Sequence, residues 1–146
     1  AVVRDAQIGQ PAVLQLETHV FSQQKRMREL MAPYGTRLMA WAPLAEGRNG
    51  IFTHPTLTVI GAKYGKTAAQ TALRFLMAED VIAIPKSVHR ERLVENFSID
   101  DFELSAEDLD AIRALDGGKP MFADFNDPTL AKFLLEYDAK FNPERQ

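Results

Sequence analysis

The feature that most constrains this chain is a short apolar run that ends at a proline and leads into a helix. Residues 81–84 are Val-Ile-Ala-Ile, and Pro85 follows them. Runs rich in β-branched residues are typical of buried parallel strands, and proline cannot donate to a strand ladder, so the strand is expected to end there. From about Arg90 the pattern predicts a helix. The apolar residues assigned to its inner face are Leu93, Val94 and Phe97.

The junction between this strand and this helix has the features of an anion-binding site. A helix N-terminus offers free backbone N–H groups and the positive end of the helix dipole. Lys86 adds a charge and Ser87 a hydroxyl, and Val88 and His89 complete the connection. The junction therefore predicts a site for a phosphate.

One face of the predicted helix combines a cation, a carboxylate and an amide. Arg92, Glu95 and Asn96 share this face because they lie three and four positions apart. Arg92 is able to pair with a phosphate or stack on a ring, and Glu95 with Asn96 is able to bond the edge of a purine. The alternative is a solvated helix start held by salt bridges, which the spacing alone leaves open.

These residues belong to a longer motif that resembles the C-terminal signature of the aldo-keto reductases. The motif consists of Ile84-Pro85-Lys86-Ser87, Arg92, Glu95-Asn96-Phe97, Asp101-Phe102-Glu103-Leu104-Ser105 and Asp108. The resemblance implies that the motif holds the adenosine end of NADPH, including its 2′-phosphate. The residues it assigns to this end are Lys86, Ser87, Arg92, Glu95 and Asn96, with Val88 and His89 in the connection between them.

A strand predicted over residues 11–17 carries the polar residue Gln15 near its C-terminal end. In parallel α/β folds that end of the strand carries the chemistry. The segment resembles the sixth barrel strand of the family, and the resemblance implies that Gln15 bonds the nicotinamide carboxamide. Leu14 and Val20 depart from the family pattern, which usually has Asn and Pro at these places. The alternative for Gln15 is a satisfied core amide.

A second strand, predicted over residues 37–41, ends at Trp41, and Ala-Pro-Leu follows it. An aromatic residue at this place is able to stack on a planar ring. In the family a Tyr or Trp here stacks on the nicotinamide, and the next residues lie along the pyrophosphate. The resemblance therefore places Trp41, Ala42 and Leu44 at the cofactor, although residues 45–46 depart from the usual Gly plus small residue. The alternative is that Trp41 belongs to the core.

Helices are predicted to follow the strands, and local signals mark several of their ends. Thr67 and Gln70 have capping-box spacing, and Ser105 with Asp108 marks another helix start. Residues 1–9 suggest the end of a helix, and residues 46–54 and 124–128 suggest loops. The remaining helices are predicted over residues 22–33, 55–64, 67–79, 105–116 and 129–140.

The chain of 146 residues is predicted to form one partial domain, with residues 117–146 as a C-terminal tail. The resemblance covers residues 12–116 and corresponds to the last three strands of an eight-stranded barrel, which typically needs about 250 residues. The predicted fold is therefore α/β, the C-terminal portion of a (β/α)8 TIM barrel. Three parallel strands cannot close a barrel, so the expected partner is an N-terminal half or a second copy of the chain.

No catalytic residue is predicted in this chain. In the family a Tyr donates the proton, a Lys and an Asp tune it, and a His orients the substrate, and all four come from the first half of the barrel. The chain has four His or Tyr residues that we considered as replacements, and none is expected to take the missing roles. These are His19, Tyr34, Tyr64 and Tyr137. The resemblance implies an NADPH-dependent reductase of aldehydes or ketones whose activity needs the other half. The alternative is a truncated, inactive homologue that binds a nucleotide or another protein.

Composition and charge argue against several kinds of partner and site. The net charge of −3 argues against nucleic acid or an anionic membrane as a partner. The absence of cysteine removes thiolate catalysis and Cys-based metal sites, and the histidines show no ligand spacing, so no metal is expected. No stretch approaches the roughly 20 apolar residues of a membrane span. A cytoplasmic enzyme that acts on a small carbonyl compound is expected.

Overall fold

The computed structural model describes residues 11–122, together with residues 129–130, 132–133 and 136. Its three strands form one parallel sheet in the order β1-β2-β3. The strands are β1 (Val13–Glu17), β2 (Arg37–Trp41) and β3 (Ile82–Ala83). In the register, Gln15 lies opposite Met39 and Glu17 opposite Trp41, while Met39 also lies opposite Ile82. The predicted α/β class is confirmed.

Helices connect the strands and cover one face of the sheet. The α-helices within residues 11–122 are α1 (Lys25–Met31), α2 (Pro55–Lys63), α3 (Ala68–Ala78), α4 (Arg90–Phe97) and α5 (Ala106–Arg113). Two 3-10 segments, Ala32–Tyr34 and Ala45–Thr53, follow α1 and β2. The second of these replaces the predicted loop at 46–54, and it is kinked because residues 46–50 leave helical geometry.

Some predicted elements fall on residues outside those described. These are the helix end at 1–9 and the loop at 124–128. Of the last predicted helix, residues 129–130, 132–133 and 136 are described and are helical, and the rest lies outside the described residues.

The core lies between the sheet and the helices. Leu38 and Ala40 of β2 point into it and are buried. The side chains of a strand alternate between its two faces, so Met39 and Trp41 lie on the opposite face, where Met39 and Trp41 are half-buried and Gln15 of β1 is exposed. The helical residues that fill the core include Leu57, Ile60, Ala72, Phe75, Leu76 and Ile112.

The edge at β3 is more open than the sequence predicts. Val81 is buried, but Ile82 and Ala83 are half-buried and Ile84 is exposed. The predicted inner face of α4 is also wrong, since Phe97 is 83% exposed. The reason is positional: β3 is the last strand of the sheet, and no described element lies beyond it. The exposed apolar residues of α4 are Leu93, Val94 and Phe97.

The start of α3 follows its sequence signal. The Thr67 hydroxyl accepts a hydrogen bond from the Gln70 N–H at 3.2 Å, and the Gln70 side chain accepts one from the Thr67 N–H at 3.0 Å. This reciprocal pair is a capping box and confirms the prediction. Ser105 likewise accepts from the Asp108 N–H at 3.2 Å and caps α5.

Helices α2 and α3 approach each other closely at Gly61. A Cβ atom built on Gly61 would lie 2.5 Å from the Lys66 carbonyl oxygen and 2.7 Å from Thr71 Oγ1. The carbonyl oxygen belongs to the backbone and cannot swing aside. Glycine at position 61 is therefore a packing requirement of the turn between these helices.

A buried carboxylate links α2 to α5. Asp108 accepts a hydrogen bond from the Tyr64 hydroxyl at 2.6 Å and an ion-pair contact from Lys63. Burial alone would raise the pKa of Asp108, but the hydrogen bonds from Lys63 and Tyr64 outweigh burial and lower it. The Tyr64 oxygen also accepts from the Ser105 N–H at 3.1 Å, so each member of this group has its partners.

The Gly61→Ala variant is expected to lower the free energy of unfolding by about 1–3 kcal/mol, because the added methyl group meets the Lys66 carbonyl. In an open helix the same change would raise stability by up to about 1 kcal/mol, so the sign is informative. Urea denaturation measures it. Val59→Ala, at an exposed position of α2, is the matched control and should stay within about 0.5 kcal/mol of the parent. A Gly61→Ala variant as stable as the parent would contradict the close approach.

The lowered pKa of Asp108 gives a pH dependence of known sign. The stabilisation is fully present above the unfolded-state pKa of about 4, and it is lost as the pH falls through the lowered folded-state pKa. Asp108→Asn is expected to reduce the free energy of unfolding at neutral pH by about 1–3 kcal/mol and to flatten the acid limb of stability against pH. Glu29→Gln, at an exposed position of α1 without an ion pair among the described residues, should leave that limb unchanged. An unaltered acid limb in Asp108→Asn would show that the group does not act as described.

Candidate cofactor-binding site

The connection from β3 to α4 forms one wall of a cavity of about 640 Å³. Leu44 and Phe52, from the segment after β2, form another wall, and Thr67 and Ala69 contribute from the start of α3. Most of the residues that the sequence assigns to the cofactor line this one cavity. They are Leu44, Lys86, Ser87, Val88, His89, Arg92, Glu95 and Asn96.

Two positively charged side chains line the cavity, together with the carboxylate of Glu95. Lys86 and Arg92 are exposed, and neither forms an ion pair with another of the described residues. The N-terminus of α4 opens beside them, and His89, its N-cap, supplies no side-chain hydrogen bond to the first turn. Two cations next to uncapped N–H groups favour an anion, which is the predicted chemistry of this junction.

The polar side chains of the cavity are held in place by the protein. The Ser87 hydroxyl accepts from the His89 N–H at 3.1 Å, which fixes the turn before α4. Glu95 accepts from the Thr67 hydroxyl at 2.6 Å. The Gln70 amide donates to the carbonyl oxygens of Glu95 and Ser98, at 3.1 and 2.9 Å. The start of α3 therefore orients α4 and leaves one Glu95 oxygen for a ligand.

Sequence reasoning missed Thr67 as a member of this site. The capping-box spacing identifies Thr67 as a helix cap, and the structure confirms that role. The same hydroxyl also donates to Glu95, 28 positions later. A local motif cannot reveal this second contact, because the partner lies on another helix.

Three residues assigned to the cofactor lie outside this cavity, toward the open face of the sheet. Gln15 is exposed on this face. Trp41 is half-buried, and Ala42, which follows it, has a positive φ of 50°. The chain runs from Trp41 through Ala42 to Leu44, which does line the cavity. The two parts are therefore continuous along the end of β2.

The Trp41 ring contacts the tail of the chain. The centroid of the Phe122 ring lies 5.4 Å from that of Trp41, with the planes inclined by 54°. The Arg48 guanidinium lies 4.4 Å from the centroid of Phe122. Sequence analysis assigned no role to Phe122 or Arg48, and their spacing along the chain gives no signal of the contact.

A buried Glu–His pair lies at the end of β1. Nε2 of His19 lies 3.1 Å from Glu17 Oε1, and the Phe21 N–H donates to Nδ1 at 3.2 Å. Since Nδ1 accepts, the proton of the neutral ring lies on Nε2. Burial lowers the pKa of His19 more than Glu17 raises it. His19 is therefore neutral at pH 7 and has both nitrogens occupied.

The described residues outside the cavity include side chains of the types that bind metals or transfer protons. No cluster of three or more His, Cys, Asp or Glu within them is arranged to hold a metal. Lys63, Tyr64 and Asp108 include the residue types that proton transfer uses, but they bind one another between α2 and α5. In the same part of the chain, no helix has the length and apolar character needed to cross a membrane.

Comparison with known proteins identifies the family. The family model "Aldo/keto reductase family" matches residues 2–117. This chain therefore belongs to the aldo/keto reductase family. It is 42% identical to an aldo-keto reductase of Mycobacterium sp. (strain KMS), over 78% of this chain and 41% of that relative. It is 41% identical to the glyoxal reductase of Bacillus subtilis (strain 168), over 78% of this chain and 40% of that relative.

Solved structures give the same relationship. The crystal structure of a Gox0644 mutant in complex with NADPH superposes with a TM-score of 0.79 and 33% identity, over 86% of this chain and 45% of that one. This superposition confirms the fold predicted from the sequence, which is a portion of a TIM barrel. The chain spans about two fifths of the length of the curated relatives it matches.

Proposed function

We propose that this chain forms the cofactor-binding part of an NADPH-dependent reductase that converts aldehydes or ketones to alcohols. The observation that carries the proposal is the cavity in which two unpaired cations, Lys86 and Arg92, adjoin an uncapped helix N-terminus. The relatives include a glyoxal reductase and a methylglyoxal reductase of Escherichia coli (strain K12). These relatives support carbonyl reduction, and a cytoplasmic location is part of the proposal.

The adenosine end of NADPH fits this cavity. Lys86 and Arg92 would pair with the 2′-phosphate, and Arg92 has the planar fork that binds phosphate oxygens two at a time. Ser87 and the backbone of residues 88–89 would complete the anion site. Glu95, oriented by Thr67, and Asn96 would bond the edge of the adenine. NADH lacks the 2′-phosphate, so this set of residues favours NADPH.

The nicotinamide end of the cofactor would extend from the cavity toward the ends of β2 and β1. Leu44 and Ala42 would lie along the pyrophosphate, Trp41 would stack on the nicotinamide, and Gln15 would bond its carboxamide. Gln15 suits this role because its side chain is exposed and, among the described residues, has no hydrogen-bond partner. When bound, the cofactor supplies a hydride to the carbonyl carbon of a small aldehyde or ketone.

The proton for the carbonyl oxygen would come from outside this set of residues. His19 is buried with both nitrogens occupied, and Tyr64 both donates and accepts hydrogen bonds at Asp108 and Ser105. We therefore assign the proton donor to a complementing part of the barrel, whether it is joined to this chain or supplied separately. The named relatives are reductases, which gives no support to the alternative of an inactive binding module.

The open edge of β3 is the surface to which the complementing part would bind. A groove of about 530 Å³ runs between β3 and α4. Its lining is mostly apolar, and an exposed strand edge is a template for another strand. The residues that a complementing strand and helix would cover include Ile82, Ala83, Pro85, Leu93 and Phe97.

The Arg92→Ala variant is expected to weaken NADPH binding by about 10- to 100-fold, because a charged hydrogen bond contributes about 1.5–3 kcal/mol. NADH binding should change by less than about threefold, since NADH lacks the phosphate. Titration calorimetry on the protein that carries this chain measures both. Arg90→Ala, at an exposed position of the same helix outside the cavity, should bind NADPH like the parent. Equal losses for NADPH and NADH, or no loss, would contradict the site.

The Phe97→Lys variant is expected to weaken association through the groove. It places a charge on an apolar surface that a partner must dehydrate. Sedimentation of the isolated chain, whose mass is 16.4 kDa, should show associated species that this variant reduces. Val59→Lys changes an apolar residue of α2 that is 64% exposed and lies outside the groove, and it should associate like the parent. A parent that sediments as a monomer with the groove uncovered would contradict the assignment.

A further inference from the structure

A buried carboxylate binds the backbone of the tail at the end of β1. Glu17 is 2% exposed. Its Oε1 accepts from the Met121 N–H at 2.5 Å, across 104 positions of the chain, and its Oε2 accepts from the Phe122 N–H at 3.1 Å. His19 lies 3.1 Å from Oε1. A buried carboxylate is costly unless donors surround it, and the tail supplies two of its three donors.

We propose that Glu17 is a positioning residue that fixes the Phe122 ring against Trp41 and so sets the width of the nicotinamide end of the site. The proposal rests on the function proposed above only in its last step, which concerns the substrate. Its first step, the placement of Phe122 by Glu17, stands on the contacts within this chain.

The register of the sheet explains why Glu17 places the tail beside Trp41. Glu17 and Trp41 are partners in neighbouring parallel strands, so their side chains leave the sheet on the same face. Neighbouring strands lie about 4.8 Å apart. A backbone segment bound by the Glu17 carboxylate therefore lies next to the Trp41 ring. The observed distance of 5.4 Å between the Phe122 and Trp41 centroids agrees with this.

Two further contacts hold the Phe122 ring. The Arg48 guanidinium lies 4.4 Å from its centroid, within the range of a stabilising cation–π contact. The His19 ring lies 6.4 Å away, edge-on at 79°. Backbone and ring are thus held separately, the backbone by Glu17 and the ring by Trp41, Arg48 and His19.

The position of the Phe122 ring has a consequence for hydride transfer, because that reaction requires a short distance between the substrate and the nicotinamide. Hydride transfer needs the carbonyl carbon within about 3–3.5 Å of the nicotinamide. If Trp41 stacks on that ring, the Phe122 side chain borders the space in which the carbonyl compound lies. A fixed Phe122 would admit small carbonyl compounds and exclude bulky ones. Release of the tail would relax this selection without removing any group that contacts the adenosine.

The first test uses Glu17→Gln without cofactor. A glutamine has one acceptor oxygen and adds an amide donor, so at least one tail N–H loses its partner. Trp41 is the only tryptophan, and its emission should shift to longer wavelength as Phe122 leaves. Amide exchange at Phe122 should accelerate by about tenfold or more. Phe122→Ala should reproduce the emission shift, and Glu103→Gln, at an exposed position distant in sequence, should change neither signal.

A second variant covers the case in which Glu17→Gln fails to fold. Met121→Pro removes one tail N–H and leaves β1 intact, because proline has no N–H. It should give the same emission shift with unchanged far-ultraviolet circular dichroism. Unchanged Trp41 emission in either folded variant would overturn the placement of Phe122 by Glu17.

The second test measures substrate selection in the NADPH-bound enzyme that carries this chain. Glu17→Gln should raise kcat/KM for a bulky aromatic aldehyde relative to a small aldehyde by about fivefold or more, while NADPH affinity stays within about twofold. An unchanged selectivity ratio would overturn the role in selection. If no variant and no parent binds NADPH, the proposed function fails, whereas the emission and exchange results still decide the placement of Phe122.

Discussion

The position of α4 depends on polar bonds from the start of α3, and the candidate site depends on the position of α4. No residue of α4 is buried, and its apolar side chains face outward, so packing alone does not hold this helix. The Gln70 amide reaches two carbonyl oxygens at its C-terminal end, and the Thr67 hydroxyl holds Glu95. Lys66 adds a fourth contact, to the Ser98 carbonyl at 3.2 Å. These bonds hold α4, and with it Arg92, at the cavity that Lys86 also lines.

The same arrangement explains why helices cover one face of the sheet while the edge at β3 is exposed. The core between sheet and helices is closed by residues such as Leu38, Leu57 and Phe75. The opposite face of the sheet and the edge of β3 remain open, as expected for a consecutive portion of a barrel whose interior and next strand belong elsewhere. Under the proposed function, the cofactor would bind mainly to this portion, and the proton donor would come from its complement.

Sequence reasoning worked where the determining contacts are local. The bounds of β2, the capping box at Thr67 and the cap at Ser105 depend on neighbours within a few positions, and all three agree with the structure. It failed for the inner face of α4, because amphipathic spacing indicates that a helix has an apolar side but not whether a partner covers it. It also gave no sign that Glu17 binds the tail, since that contact joins residues 104 positions apart.

For the cavity residues assigned from the motif, the sequence predicted the identities but only part of the arrangement. Their identities came from an ordered resemblance, and the structure brings most of them together, from Leu44 to Asn96. The cation pair Lys86 and Arg92 was recognisable by type and spacing. The orientation of Glu95 was not, because it depends on a hydroxyl from a different helix.

The measurement that tests the central claim most directly is calorimetric binding of adenosine 2′,5′-bisphosphate compared with adenosine 5′-monophosphate. These fragments reach only the cavity beside α4 and need neither the nicotinamide end nor a proton donor. We expect the bisphosphate to bind at least about tenfold more tightly if Lys86 and Arg92 pair with its 2′-phosphate as proposed. Equal affinities for the two compounds would contradict a 2′-phosphate site in this cavity.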